Sequence, residues 1–381
     1  MGGHVRRRGI AAAALLLGLT LSASACTAAP TEPTASSAGH ATGASAAPNA
    51  PAENHEPLVG IDPLDDPAAY VGPSTATLVS DAIVPVASPT PTLPTQVTSH
   101  SPDGTEPVEI TDASRVVAMD IAGSIAATVW GLGLGDTLVG RDVAADFPGT
   151  EDIPVVTGSS HSVNIEAILA LDPTVLITDG SIGPRRAVTQ LADAGVAVVF
   201  VENTASFEGA AQLARDVAAI YGADDAGETL AQRILADVDA TRDAITAIAP
   251  GEPMRMAFVY LRGSAGVYYL FGESAGTTAL FEALGGIDAG AEAGIVGEQP
   301  MTDEAMLAMD PDVIFVMTSG IESVGGIDGL LASKPAIALT TAGQQRRFVD
   351  MDDAVVLSFG PRSAQVLEAL AVATYAPDTA S

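Results

Sequence analysis

Asn164-Ile-Glu-Ala-Ile-Leu-Ala-Leu-Asp-Pro-Thr-Val-Leu-Ile-Thr178 aligns without a gap with Thr302-Asp-Glu-Ala-Met-Leu-Ala-Met-Asp-Pro-Asp-Val-Ile-Phe-Val316. The offset is 138 (302 − 164), and seven of the 15 positions are identical. Each copy reads as an N-cap (Asn164, Thr302), a helical turn with Glu at its second position, an Asp-Pro stop and a buried strand. Arg115-Val-Val-Ala-Met-Asp120 and Arg255-Met-Ala-Phe-Val-Tyr260 fit a similar offset of 140 (255 − 115). Around these copies, short apolar runs (Val116–Met119, Pro154–Val156, Thr174–Thr178, Val196–Val201) alternate with helical stretches. That alternation predicts an α/β protein whose parallel sheets are joined by helical crossovers. The repeat predicts two related α/β lobes, at 95–225 and 250–378. Between them, residues 226–249 read as one long linking helix, with Leu230, Ile234, Leu235, Val238, Ile245 and Ile248 largely on one face. Such a helix spans about 35 Å. It suits a rigid strut between two lobes, with a ligand cleft between them.

Arg6, Arg7 and Arg8 followed by the apolar run Ile10–Leu21 read as a signal peptide over residues 1–25. The run is too short to span a bilayer, which takes about 20 residues. Ala23-Ser24-Ala25 precedes Cys26, the single Cys of the chain. Ala-x-Ala is an ordinary cleavage site, which would leave a free thiol. The alternative, favoured by the placement of the only Cys, is a lipobox with Cys26 acylated as the membrane anchor. Residues 26–94 are rich in Ala, Pro, Thr and Ser and read as a disordered tether. Gln96–Thr98 and Pro107–Ile110 flank Ser101-Pro-Asp-Gly104, which reads as a hairpin with an Asp-Gly turn.

Lys plus Arg number 16 against 47 Asp plus Glu, a net charge of −31. Nucleic acid is therefore excluded as a partner, since binding it takes a basic face. One Cys excludes a disulfide scaffold and a Cys-ligated zinc or iron–sulfur site.

Of the five histidines, only His161 lies inside the α/β body. It falls in a loop at the carboxyl end of a strand, where α/β folds place ligand sites. The bland reading, which the residues alone favour, is a loop residue that caps the next helix or lies in solvent. A site of several histidines is excluded. In Arg255–Arg262 the side chains alternate, so Phe258, Tyr260 and Arg262 share a face and Arg262 can reach the Tyr260 oxygen. A neighbouring cation favours a phenolate, the form that ligates ferric iron. The competing reading is a strand-end Tyr beside a solvated Arg. Gly272-Glu-Ser274-Ala-Gly276 matches a nucleophile elbow, but no His follows His161, so a hydrolase is excluded and a strand-to-helix turn is expected. Gly131-Leu-Gly-Leu-Gly-Asp136 reads as a helix C-cap and turn, not a dinucleotide site. Glu166 and Glu304 occupy equivalent repeat positions. They either complement helix dipoles or form one acidic contact per lobe for a two-fold partner with basic sockets.

With these residues in view, the chain resembles the class III substrate-binding proteins of ABC importers. The resemblance covers about residues 95–376. It rests on the repeat, the linking helix and Phe359-Gly-Pro-Arg362 before a last helix. Within that class it closely resembles the actinobacterial haemin-binding lipoproteins of the HmuT type. The residues that carry this are Gly158-Ser-Ser-His161, Tyr260-Leu-Arg262 and the loop from Met317-Thr-Ser-Gly320 to Gly325-Gly326. The resemblance implies two lobes with little hinge motion and no enzyme activity. It implies ferric haem b as transported ligand, with iron held by His161 and Tyr260, Arg262 tuning the Tyr, and Met317 as a pocket wall. It also implies that Glu166 and Glu304 dock on an ABC permease dimer with its ATPase. The expected protein is a monomer, lipid-anchored outside the cytoplasmic membrane. A ferric siderophore or cobalamin in the same fold is the alternative.

Overall fold

The computed structural model describes residues 58–158 and 161–377; the expected signal peptide (1–25) and Cys26 lie outside them. In chain order the strands are β1 (Ser74–Ala76), β2 (Thr95–Ser101), β3 (Gly104–Ile110), β4 (Val116–Met119), β5 (Leu138–Arg141), β6 (Val175–Thr178), β7 (Ala197–Phe200), β8 (Arg255–Arg262), β9 (Val267–Phe271), β10 (Ile287–Asp288), β11 (Glu298–Pro300), β12 (Val313–Met317) and β13 (Phe348–Met351). The first lobe holds the sheet β5-β4-β6-β7, parallel throughout. The second holds β1-β13-β12-β8, also parallel, extended by antiparallel β9 and β11, with β10 pairing the start of β8. β2 and β3 form a hairpin in which Ser101 pairs with Gly104, so Pro102 and Asp103 make its turn.

One strand differs from expectation. Pro154–Val156 contributes a single bridge, Val155 to Arg141, and the fourth strand of the first sheet is β5. β5 is four residues long and contains Gly140 and Arg141, which gives it a weak apolar signature.

The sequence repeat is also a structural repeat. Asn164 caps the helix Ile165–Ala170 by accepting from Ala167 N at 3.0 Å, and Thr302 caps Asp303–Met309 by accepting from Ala305 N at 3.1 Å. Ile168 and Met306 are fully buried at equivalent positions of these helices. Asp172 and Asp310 both take left-handed backbone, φ 48° and 36°, a conformation that Asp tolerates better than most residues. Arg115 Nε donates to the carbonyl of Leu171 at 3.0 Å and Arg255 Nε to that of Met309 at 3.1 Å. In each lobe a cation therefore grips the carboxyl end of the equivalent helix, where the dipole favours it.

Alternation along the strands sorts the core into layers. Val116 and Ala118 of β4, Val175 and Ile177 of β6, Phe258 of β8 and Val313 and Phe315 of β12 enter one continuous core with the helices Phe207–Ile220, Asp224–Ile248 and Ser363–Tyr375. The intervening residues form separate outer cores: Val117, Met119 and Leu176 in the first lobe, and Ala257, Val259, Ile314 and Val316 in the second. The linking helix is Asp224–Ile248, with Asp224 and Asp225 in its first turn. Leu230, Ala231, Ile234, Val238 and Ile245 bury its inner face. Burying each such large aliphatic side chain contributes about 1.5–3 kcal/mol. At Gly227 a Cβ would meet Ala218 Cβ at 2.5 Å, so this glycine sets the close approach of the linking helix to Phe207–Ile220.

The tether expectation fails for residues 58–94, which form a packed strap. Leu58 N donates to Glu368 at 3.2 Å and Leu64 N to the carbonyl of Tyr375 at 2.8 Å, both on the last helix. β1 then pairs with β13. Arg347, fully buried, donates to Ser74 Oγ at 2.9 Å and lies over the Tyr70 ring at 4.8 Å. Farther along, Asp81 pairs with buried Arg362, Val86 N donates to Gly131 O, and Thr92 N donates to Tyr221 O. Ala/Pro composition argues against a self-contained core. It does not prevent the backbone from finding partners on a body that already has one. Among the described residues no helix is long and apolar enough to cross a membrane.

Candidate functional site

The first half of the site grows from the carboxyl end of β5. Asp142 follows the strand and is buried. Its Oδ1 accepts from Ala144 N at 2.7 Å and its Oδ2 from Thr157 Oγ1 at 2.6 Å, while Thr157 Oγ1 accepts from Val143 N at 3.1 Å. Thr157 and Val163 close a short antiparallel bridge. Within it, His161 N donates to Gly158 O at 2.8 Å and Gly158 N to Ser162 O at 2.9 Å. His161 takes left-handed backbone, φ 53°. The His161 imidazole lies on Asp142, with Nδ1 3.1 and 3.2 Å from the two carboxylate oxygens.

That pairing has a chemical result. A carboxylate only accepts, so Nδ1 carries a hydrogen, and in the neutral ring the lone pair is then on Nε2. The His side chain is 29% exposed and the Asp 1%. The arrangement is an oriented imidazole with a buried anion behind it, as metal-ligating histidines usually have.

Two more acids stand at the same edge of the sheet. Asp120, after β4, is buried and accepts from Ser124 N at 2.8 Å and Ile125 N at 3.0 Å. Asn203 Nδ2 donates to Asp179, after β6, at 3.0 Å. Burial, and then the charge of Asp179, push the Asp120 carboxyl up to about 7 against those backbone bonds.

The second half stands on β8. Tyr260 faces the continuous core, and its ring stacks on Phe271 at 5.8 Å. Arg262 Cζ lies 4.5 Å above the Tyr260 ring centroid. Its Nη2 donates to Asp353 Oδ2 at 2.9 Å and contacts Met317 Sδ at 3.7 Å; its Nη1 donates to Leu261 O at 2.8 Å. Asp353 also accepts from Ser319 N at 3.0 Å and from the Ser319 hydroxyl. Sequence reasoning expected the guanidinium on the phenol oxygen. It lies over the ring face instead, because a carboxylate is the stronger acceptor for a charged fork.

The structure thus gathers Tyr260, Arg262 and Met317 into one group in the second lobe. His161 belongs to another group, in the first. Glu166 and Glu304 are exposed, each at the second position of its repeat helix. A cavity of about 530 Å³ is walled by Arg255, Glu292, Gln299 and Thr302, at the opposite end of β8 from Tyr260. Gly272–Gly276 is the expected strand-to-helix turn, leading into Thr277–Ala283. Sequence reasoning missed Asp142 and Asp353. The first had a usable signal, an acid directly after a parallel strand. The second lies 91 residues from Arg262 and had none.

A crystal structure of "heme binding protein HmuT" is 38% identical, with a TM-score of 0.76, and the match covers 82% of this chain and 99% of that one. That protein has also been solved with a His, a Tyr and an Arg each replaced. Those three positions are spaced along that chain as His161, Tyr260 and Arg262 are along this one. The "uncharacterized ABC transporter substrate-binding lipoprotein YvrC" of Bacillus subtilis is 27% identical over 253 residues, 66% of this chain and 76% of the relative. A "cobalamin-binding protein" of Halobacterium salinarum is 26% identical over 234 residues, 61% of each chain. Residues 120–355 match the family model for "periplasmic binding protein". The two-lobed α/β fold, the linking helix and this match place the chain in the periplasmic binding protein family, whose members are substrate-binding transport proteins.

Proposed function

We propose that this chain is an extracytoplasmic haem receptor, anchored through acylated Cys26, that captures ferric haem between its lobes and delivers it to an ABC permease dimer. The observation that carries the reading is the Asp142–His161 pair, in which a buried carboxylate holds the imidazole by Nδ1 and Nε2 is the ring nitrogen left to ligate iron. His161 is the axial ligand from the first lobe and Tyr260 the one from the second. Arg262 over the Tyr260 ring compensates the charge that an iron-bound phenolate carries. Met317, against Arg262, belongs to the wall behind it. The matched spacing of His161, Tyr260 and Arg262 with the replaced residues of the haem-binding relative supports the assignment. Glu166 and Glu304 are the docking acids. The protein transfers its cargo and performs no reaction on it. An anionic ligand favours Fe(III), so ferric haem is the form this ligand set suits.

Haemin titration of the protein without its signal peptide, followed by absorbance, tests the reading. One haem per chain is expected, with an altered Soret band in His161→Ala and Tyr260→Ala. Absence of saturable binding overturns it. The halophile relatives favour cobalamin as the second reading, and a cobalamin titration run in parallel separates the two.

A further inference from the structure

Leu169 and Leu307 are large apolar side chains left 41% and 44% exposed. They are equivalent: 307 − 169 is 138, the offset of the repeat. The positions around them match in structure as well, from the caps Asn164 and Thr302 to the left-handed Asp172 and Asp310. Each Leu stands three residues after an exposed Glu, Glu166 or Glu304, so acid and Leu share a helix face. An exposed Ala follows each, Ala170 and Ala308. One exposed Leu needs no explanation. Two at repeat-equivalent positions, each beside an exposed Glu, do. Neither helix needs the exposed Leu for its own anchoring, since Ile168 and Met306 already supply a buried side chain.

We propose that Leu169 and Leu307 are the apolar anchors of a docking surface, one per lobe. The partner it fits is a two-fold membrane protein that offers, on each half, a basic group to the Glu and an apolar socket to the Leu. The inference rests on the proposed delivery to a permease dimer and adds the contact that locates it. Charge alone cannot mark the place, because 47 acidic residues spread over the chain offer a basic partner many sites. A pair of Leu side chains, set apart as the two repeat helices are, selects one position. Buried apolar anchors with charges at their rim are how interfaces gain affinity. A partner of two like subunits presents matching sockets to two like helices.

The test places the full chain with Leu169→Ser, Leu307→Ser, both, or the control Leu339→Ser in its native host, in place of the wild-type gene. Leu339 is 64% exposed and lies outside both repeat helices. Haem uptake is measured at limiting haem under iron starvation, and the purified variants are titrated with haemin. Uptake is expected to fall about tenfold in each single variant, the change that about 1.4 kcal/mol of lost contact gives. It should fall further in the double variant and stay unchanged in the control, with all titrations like the wild type. Wild-type uptake by the double variant, with normal haem titration, overturns the docking surface. A wild-type protein that binds no haem overturns the delivery reading itself.

Discussion

His161 Nδ1 lies 3.1 Å from the Oδ1 of Asp142, a side chain 19 residues earlier that is almost fully buried. The bond fixes the ring plane and the tautomer together. It accompanies the bond from His161 N to Gly158 O and the left-handed backbone of His161 itself.

Asp142→Ala should therefore weaken haem binding about 10–100-fold, the usual effect of removing the partner of a ligating His. Asp142→Asn should fall between, because an amide oxygen still accepts but carries no charge. Haemin affinity with the Soret spectrum is the measurement. Wild-type affinity in Asp142→Ala would exclude His161 as an oriented ligand.

Arg262→Ala removes the cation over Tyr260 while Asp353 keeps its bonds to Ser319. The ferric haem spectrum should shift and affinity fall several-fold. Global stability should change by no more than about 1 kcal/mol, since this ion pair is partly exposed. Asp353→Asn should have the same sign and a smaller size. An unchanged spectrum in both would separate Arg262 from the ligand site.

Asp120 gives a pH test with a definite sign. Folded, its carboxyl holds a proton up to about 7; the reference value is 3.8. Between those values the folded state binds more protons than the unfolded one, so stability falls as pH rises from about 4 to about 7. Asp120→Asn should flatten this part of the Tm–pH curve and raise Tm at pH 8. Parallel curves for variant and wild type across the window would refute the shift.

Arg347→Met should loosen the strap. It deletes donors to Ser74 Oγ and to the carbonyls of Ala373 and Thr374. Hydrogen bonds to a charged group contribute about 1.5–3 kcal/mol each, partly offset by ending the burial of a charge. A loss of about 2–4 kcal/mol is expected, with new protease cleavage between Leu58 and Pro94. Wild-type Tm and protease resistance would show the strap held by other contacts.

What the sequence revealed and concealed follows from the range of the interactions. The two copies of the repeat are legible because caps, Asp-Pro stops and apolar periodicity are local. The linking helix is legible for the same reason, within two residues at its start. His161 and Tyr260 stand out as rare residue types at strand ends. Asp142 and Asp353 act only through tertiary contact, and Arg262 reads differently once Asp353 competes for it. The strap is concealed because its order comes from carbonyls and carboxylates on distant segments, while its own composition resembles a linker.

The strap also has a bearing on the order of assembly. Thr75 Oγ1 donates to Asp350 across a separation of 275 residues, and Leu58 N reaches Glu368 over 310. Contacts of such long range form late, because closing the intervening chain carries a large entropic cost. A chain made from its amino end acquires β13 and the last helix only near the end of synthesis. The clasp that joins Leu58 and Thr75 to those late segments stays open until then, so the body closes on the strap as a last step.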